Sequence, residues 1–496
     1  MAATATHHDD HPHAPAPLPD ATVNVRPVRL ASIAALAVGA AVYLIGGFVG
    51  LGVPGNEHGV RDFFVAYLCG FVFWFCVPFG SLLMSMIAYL AQASWGIIFR
   101  RIFQASIRTL PFMFLLGLPV VVSLFAFQGN QSPFWWSESV WYQKTEDITL
   151  DQEQQEQRDK NLAQGLGETD EEVRRYATIA AAEHIPPLAA EESAHKIHDW
   201  LSPWKFTIRY LIYFAVIGAF AFFLHRQARR AEDVADTEPE KYKLHVISGP
   251  GIPVLVLTMT FFVTDWVMSV EPTWASSMFP VVFGFNTLLT TLTFATLVFY
   301  SLTKVPNDIA PRGDRPDLTA VIKDKFRIDI GSLTLGFSMA WAYASFCQFM
   351  LVWAGNLPEE IPYYLKRGAG HEDSLAHGIG GGPTGSATGW IYLTYILMAF
   401  HWLLPFVVLL FREVKTSPRG MRVMACILLA VCMCDVCWWI MPSVPHEKTW
   451  THLPMAFGAI FAVGGVWGLL FAWQLNRRPI LGKDSDVRFL ADWGHH

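Results

Sequence analysis

Ten long apolar stretches, near 30–50, 63–90, 106–127, 206–225, 251–271, 277–302, 331–354, 389–411, 420–441 and 454–474, alternate along the chain with polar segments. A helix needs about 20 apolar residues to cross a hydrocarbon core ~30 Å thick, so each stretch predicts one membrane-spanning helix. The stretches are apolar on every side, as lipid-facing or bundle-buried helices are. None shows the two-residue alternation of a membrane β-barrel. Backbone polar groups in lipid must be paired within the segment, which leaves a helical bundle. The expected fold is an all-α integral membrane protein of about ten transmembrane helices. The second stretch contains Pro78, which is expected to kink one long helix without dividing it.

These stretches divide the chain into a tail (1–28), three spans (29–127), a long polar loop (128–205), seven spans (206–475) and a second tail (476–496). The first tail is rich in His and Pro and has no basic region ahead of the first apolar run. That run is too long for a signal-peptide core and is expected to remain as the first span. The HHDDHPH cluster (His7, His8, His11, His13) admits a metal-binding reading, and a disordered tail is the simpler one.

Composition agrees with the pattern. Charged residues make up 16% of the 496, hydrophobic residues 53% and aromatics 14%, and the mean hydropathy is +0.32. Soluble proteins carry about 25% charged residues. The formal charge of -6 produces no basic field, so nucleic acid is not an expected partner. Charge distribution sets the orientation: with the N-terminus inside, 24 of the 36 Lys and Arg fall on the inner side. Both termini are therefore expected to be cytoplasmic and the 128–205 loop extracytoplasmic.

The loop holds 15 acidic residues, and Thr169 with Glu172 fits a capping box at the start of a helix. A loop this long is either a solvated excursion or a docking platform. Trp135, Trp136, Trp141, Trp200, Trp204, Trp274, Trp353, Trp390, Trp438, Trp439 and Trp450 all map to the outer side, which favours docking of a partner there.

The seven cysteines (Cys69, Cys76, Cys347, Cys426, Cys432, Cys434, Cys437) fall within the predicted spans. In the CMCDVC run, Cys432 and Cys434 point about 200° apart on a helix, which suits packing and not a metal cluster. His401 alone lies deep in a span, so a bis-histidine haem is not expected, and no nucleotide-binding motif is present. The chain is expected to carry no metal and no redox cofactor of its own.

Three ionisable residues lie where charge is costly: Asp265, Asp435 and His401. A charge in the membrane core costs at least ~2.5–3.5 kcal/mol on insertion scales, so such residues are functional candidates. Counting along the helices puts both acids ~9 Å below the outer surface and His401 ~18 Å below it. Thr258, Asp265 and Ser269 share a helix face; Asn286, Thr290 and Thr293 form a second stripe, and Thr334, Ser338, Ser345 and Gln348 a third. Glu271, Glu359 and Glu360 lie near the outer rim. Together these form a candidate proton relay. Hydroxyls also serve as ordinary packing groups between membrane helices. Two other readings stand beside the relay: a secondary transporter whose Asp and His bind substrate and ion, and a structural anchor with its acids satisfied by ion pairs. Matched broken helices, the mark of many transporters, are not evident, and no internal repeat is visible.

The runs FFVTDWVMSVEPTW, CQFMLVWAGNLPEEIPYY, HWLLPFVVLLFREVK and DVCWWIMP resemble the NrfD-like (polysulfide-reductase-like) membrane subunits of bacterial alternative complex III, the second of its two such subunits above all. The likeness covers nearly all ten spans. It departs from the family at Thr273, where a His is common. The resemblance implies two four-helix bundles with peripheral helices, in a quinol:cytochrome c oxidoreductase of the respiratory chain. It implies a bound menaquinol or ubiquinol at most, with haem c and iron–sulfur clusters in partner subunits. The implied partners are the sister membrane subunit, an iron–sulfur subunit similar to molybdopterin enzymes, c-type cytochromes, membrane lipids and a terminal oxidase. It further implies a contribution to proton translocation in the bacterial inner membrane.

Overall fold

A computed structural model describes residues 23–52, 59–127, 132–134, 136, 200–233, 238–271, 274–305, 318, 322–355, 360–368, 388–443, 452–477 and 480. The His-rich tail, the Thr169/Glu172 capping box, most of the 128–205 loop, Thr273, Glu359, Trp135, Trp141, Trp450 and nearly all of the second tail lie outside them.

All extended regular structure among the described residues is helical. The helices are α1 (Arg26–Gly52), α2 (Gly59–Ala91), α3 (Ser94–Ile107), α4 (Leu110–Ala126), α5 (Pro203–Asp233), α6 (Glu238–Trp266), α7 (Phe279–Leu302), α8 (Asp324–Gly355), α9 (Ile361–Leu365), α10 (Thr388–Leu397), α11 (Leu404–Val408), α12 (Arg412–Thr416), α13 (Pro418–Ile440) and α14 (Leu453–Leu475). A π-helical turn, Met398–Leu403, joins α10 to α11 into one span, and 3-10 turns extend α6 (Met268–Val270) and α13 (Met441–Ser443). Nine helices among the described residues are long and apolar enough to cross a membrane; α3 and α4, bent by 44°, make a tenth if taken as one span. The protein is thus an all-α multi-span membrane protein of about ten helices.

The third span departs from the continuous run expected at 106–127. Pro111 opens α4 and the chain breaks at Arg108–Thr109, where the Thr109 hydroxyl donates to the Ser106 carbonyl. Proline suits a first helical turn and cannot continue the previous helix. The 17 residues of α4 rise only ~25 Å, short of a full crossing, and α3 supplies the rest. α2, by contrast, runs unbroken through Pro78 as expected. Next to that proline, Thr291 of α7 donates to the Cys76 carbonyl at 3.1 Å and reaches Val77 O at 3.4 Å. Gly80 makes room for it, since a Cβ there would stand 2.1 Å from the Thr291 hydroxyl.

Packing sorts the spans into two closed rings of four, α2–α4–α5–α6 and α7–α8–α10/α11–α13, with α2 also against α7 and α13. α1 and α14 flank them, antiparallel and in close contact. Small residues allow that approach: a Cβ on Gly39 would lie 2.4 Å from the Ala462 amide, and one on Gly465 would lie 2.5 Å from the Leu36 amide. Neither backbone can yield.

Gly39→Val or Gly465→Val is expected to separate this seam and destabilise the protein by about 1–3 kcal/mol or more. Gly218→Ala and Gly336→Ala, with nothing within 4 Å of the added carbon, are expected to leave stability equal or slightly higher. Thermal unfolding of the detergent-solubilised variants measures the contrast.

Candidate functional site

The last helix of each ring of four carries an almost fully buried carboxylate. Asp265 sits in the final turn of α6 and Asp435 near the end of α13. Each is followed by a 3-10 turn, and each stands seven residues before a proline, Pro272 and Pro442. This shared arrangement is a correspondence between the two halves that the sequence alone did not reveal. Both side chains are buried, at 0% and 1% exposure.

Their surroundings differ. Asp265 is enclosed by four donated hydrogen bonds. Arg209 of α5 reaches both oxygens, Nε to Oδ2 at 2.7 Å and Nη2 to Oδ1 at 3.0 Å. The Trp200 indole donates to Oδ1 at 2.7 Å and the Tyr213 hydroxyl to Oδ2 at 2.6 Å. Arg209 also stacks over Trp200 at 4.3 Å and donates to its carbonyl at 2.8 Å. A two-point guanidinium contact with further donors is the geometry that makes a buried carboxylate tolerable.

Among the described residues, Asp435 has no such cation. Its Oδ2 accepts from the Trp341 indole of α8 at 2.8 Å and lies 3.8 Å from His401 Nδ1, beyond hydrogen-bond length. The imidazole of His401 is fully buried and stacked on Trp341, with ring centroids 3.6 Å apart and planes at 17°. On its other side, Nε2 lies 3.8 Å from Cys432 Sγ, and Thr290 of α7 adjoins Cys432. The depth count separated His401 from Asp435 by ~9 Å, and the structure brings them into contact. Level helix ends would give that separation; the 3.8 Å approach means that the ends of these two spans are not level.

The π-helical turn explains how His401 comes to face inward. Pro405 has no N–H for the carbonyl four residues earlier, which belongs to His401, and its ring crowds that carbonyl in a regular helix. The turn widens into a π-helix, a feature concentrated at functional sites. Ser338 of α8 then donates to the His401 carbonyl at 2.5 Å.

The polar stripes separate into two kinds. Thr258, Ser269, Thr293 and Thr334 each donate to a backbone carbonyl four residues back on their own helix, so they are packing hydroxyls. Asn286 (both side-chain atoms), Ser345 Oγ and His401 Nδ1 make no hydrogen bond to any described protein atom, though all are buried. Antiparallel register, fixed by Phe283 against Trp439 and Thr290 against Cys432, places Asn286 opposite Val436, one residue from Asp435. These three residues belong to helices of the second ring.

At the rim beyond both acids, the NLPEEIPYY run ends in a bracket. Lys366 Nζ holds Glu271, just past α6, at 2.7 and 2.9 Å. Arg367 donates to the Trp438 and Trp439 carbonyls at 3.1 and 2.8 Å and to Ser443 Oγ at 3.0 Å, satisfying the C-terminal end of α13. Tyr363 lies under Arg367 and stacks on Trp274, with centroids 3.7 Å apart. Burial pushes its hydroxyl up to about 12, opposed by the Arg367 charge. Gln348 meets the Tyr364 hydroxyl, which joins the outer end of the α8 stripe to this bracket, and Glu360 bears on Tyr364 by its charge.

Arg209, Tyr213, Trp341, Lys366 and Arg367 were not singled out from sequence, and Trp200, read there as part of a docking face, instead donates to Asp265. One signal was present: Arg209 lies four residues into the apolar run that starts at 206, and a cation there implies a buried anion.

Arg209→Met leaves the Asp265 charge buried and unpaired, and is expected to destabilise the protein by about 3–5 kcal/mol. Combining it with Asp265→Leu should restore most of that loss. Denaturation of both variants tests whether the pair is structural.

No protein-family model matches the chain, and no curated protein matches it in sequence.

Proposed function

We propose that this protein is a membrane subunit of a quinol:electron-acceptor oxidoreductase, in which the second ring of helices moves protons. The observation that carries this reading is the Asp435–His401 pair: two titratable groups face each other across 3.8 Å, both buried, with a Trp341 donor and no paired cation among the described residues. Such groups can exchange a proton without breaking an ion pair. By the same reasoning Asp265, closed in by Arg209, Trp200 and Tyr213, acts as a structural ion pair, and the anchor reading applies to it.

Oxidation of a quinol to a quinone releases two electrons and two protons. The resemblance assigns the electrons to haem c and iron–sulfur centres of partner subunits. The protons need acceptors within hydrogen-bond reach, then a path. With the quinol in the sister subunit, Asp435 and His401 are carriers on that path. The α8 line of Ser345 and Gln348 leads from them toward Tyr364, Glu360 and the rim, and Asn286 contributes free donor and acceptor atoms at the same level. The menaquinone or ubiquinone itself is assigned to the sister subunit. The orientation proposed with this reading has both termini in the cytoplasm and the 128–205 loop in the periplasm, where it docks the redox partners of the inner-membrane complex.

Asp435→Asn and His401→Gln are expected to assemble normally and to lower quinol turnover or coupled proton movement about 100-fold or more, the usual contribution of a positioned acid or base. Copurification of haem-c and iron–sulfur subunits supports the reading. A lone monomer that accumulates a solute in vesicles overturns it in favour of a transporter. Protease added to intact spheroplasts should cut within 128–205 and nowhere in the tails.

A further inference from the structure

We propose that Ser338 is the positioning residue of the His401–Asp435 pair: its hydroxyl takes the place of the amide hydrogen that Pro405 lacks and holds the π-helical turn in its present register. The His401 carbonyl is the group that Pro405 deprives of its helical partner. The group donating to it comes from another helix, Ser338 Oγ on α8, at 2.5 Å. Ser338 is itself fully buried, as is His401, so an unmatched carbonyl at this point would face no solvent. Three residues further along α8, Trp341 stacks on the His401 ring and donates to Asp435. One helix face thus holds the backbone, the ring and the acid of the same site.

The register matters because a π-helical turn carries one residue more than an α-helical turn. Reversion to a regular helix would rotate His401 by about 100° relative to the segment that follows, taking its ring off Trp341 and its Nδ1 away from Asp435. The stripe hydroxyls of Thr258 and Thr334 hold their own helices, four residues back. Ser338 instead reaches across to a carbonyl 63 positions away in the chain. The function of this bond is to orient a neighbour's side chain.

The test uses the full-length chain in lipid bilayers, labelled with [15N]histidine, and reads the ring nitrogens of His401 by solid-state NMR. The resonances are assigned by their loss in His401→Gln. Ser338→Ala is expected to move the His401 signals well beyond their linewidth, and Ser338→Thr, which keeps a hydroxyl, to leave them near wild type. Pro405→Ala returns the missing amide and should also move the signals. Adding Ser338→Ala to Pro405→Ala should then change nothing more. Wild-type signals in Ser338→Ala, or effects of the two substitutions that add, overturn the proposal. If Ser338→Ala does not accumulate, the double variant decides: recovery supports the proposal and continued loss overturns it. The readout does not depend on quinol oxidation, so this inference and the proposed function fail separately.

Discussion

Inside a hydrocarbon layer, each donor or acceptor that a helix fails to satisfy must be met by another part of the protein. That requirement shapes this molecule at its proline sites and at its acids. Near Pro78, which removes the helical partner of the Trp74 carbonyl, Thr291 ties α7 to α2 through the carbonyls of Cys76 and Val77. At Pro405, Ser338 reaches the carbonyl of His401. At the end of α13, the buried guanidinium of Arg367 meets the carbonyls of Trp438 and Trp439. Each of these contacts joins helices distant in sequence. Loss of a buried partner leaves the full desolvation penalty of the remaining group, about 1–3 kcal/mol, so these bonds also define which helix neighbours which.

The same requirement separates two acids that look alike. Asp265 and Asp435 share a position in their rings, a following 3-10 turn and an indole donor. One has Arg209 against both oxygens, and the other has a stacked imidazole 3.8 Å away. A guanidinium stays protonated under all ordinary conditions, so the first arrangement is static. An imidazole changes charge near neutrality in water and can serve as acid or base. The proposed division of labour between a fixed pair and an exchangeable pair rests on that difference in partner chemistry. The Lys366–Arg367 bracket ties the helices of both acids to one short segment, so the two sites share a frame.

Much of the architecture was legible in the residue pattern. Nine of the ten expected spans appear as helices that satisfy the length and hydropathy of a crossing, because an uninterrupted apolar run of that length has few other stable forms. The third was legible only in part: its apolar content was plain, while the break at Thr109 and Pro111 was a local backbone effect inside an apolar stretch. The buried ionisable groups were also legible, since a charge within such a run is conspicuous wherever the helix turns. The hydroxyl stripes were read less well. Thr258 and Ser269 share the face of Asp265, yet both bond their own backbone, whereas Asn286 and Ser345 keep unmatched atoms.

Sequence alone therefore determined the helical class, the approximate number of crossings and the identity of the costly residues, because burial in lipid depends on composition over a single segment. It did not determine that Arg209 faces Asp265, that His401 faces Asp435, or that Ser338 completes a turn on another helix. Helices that are apolar on every side carry little record of which face meets which neighbour. Rotation, relative height and the widened turn before Pro405 settle those pairings, and they exist only once the rings of helices have closed.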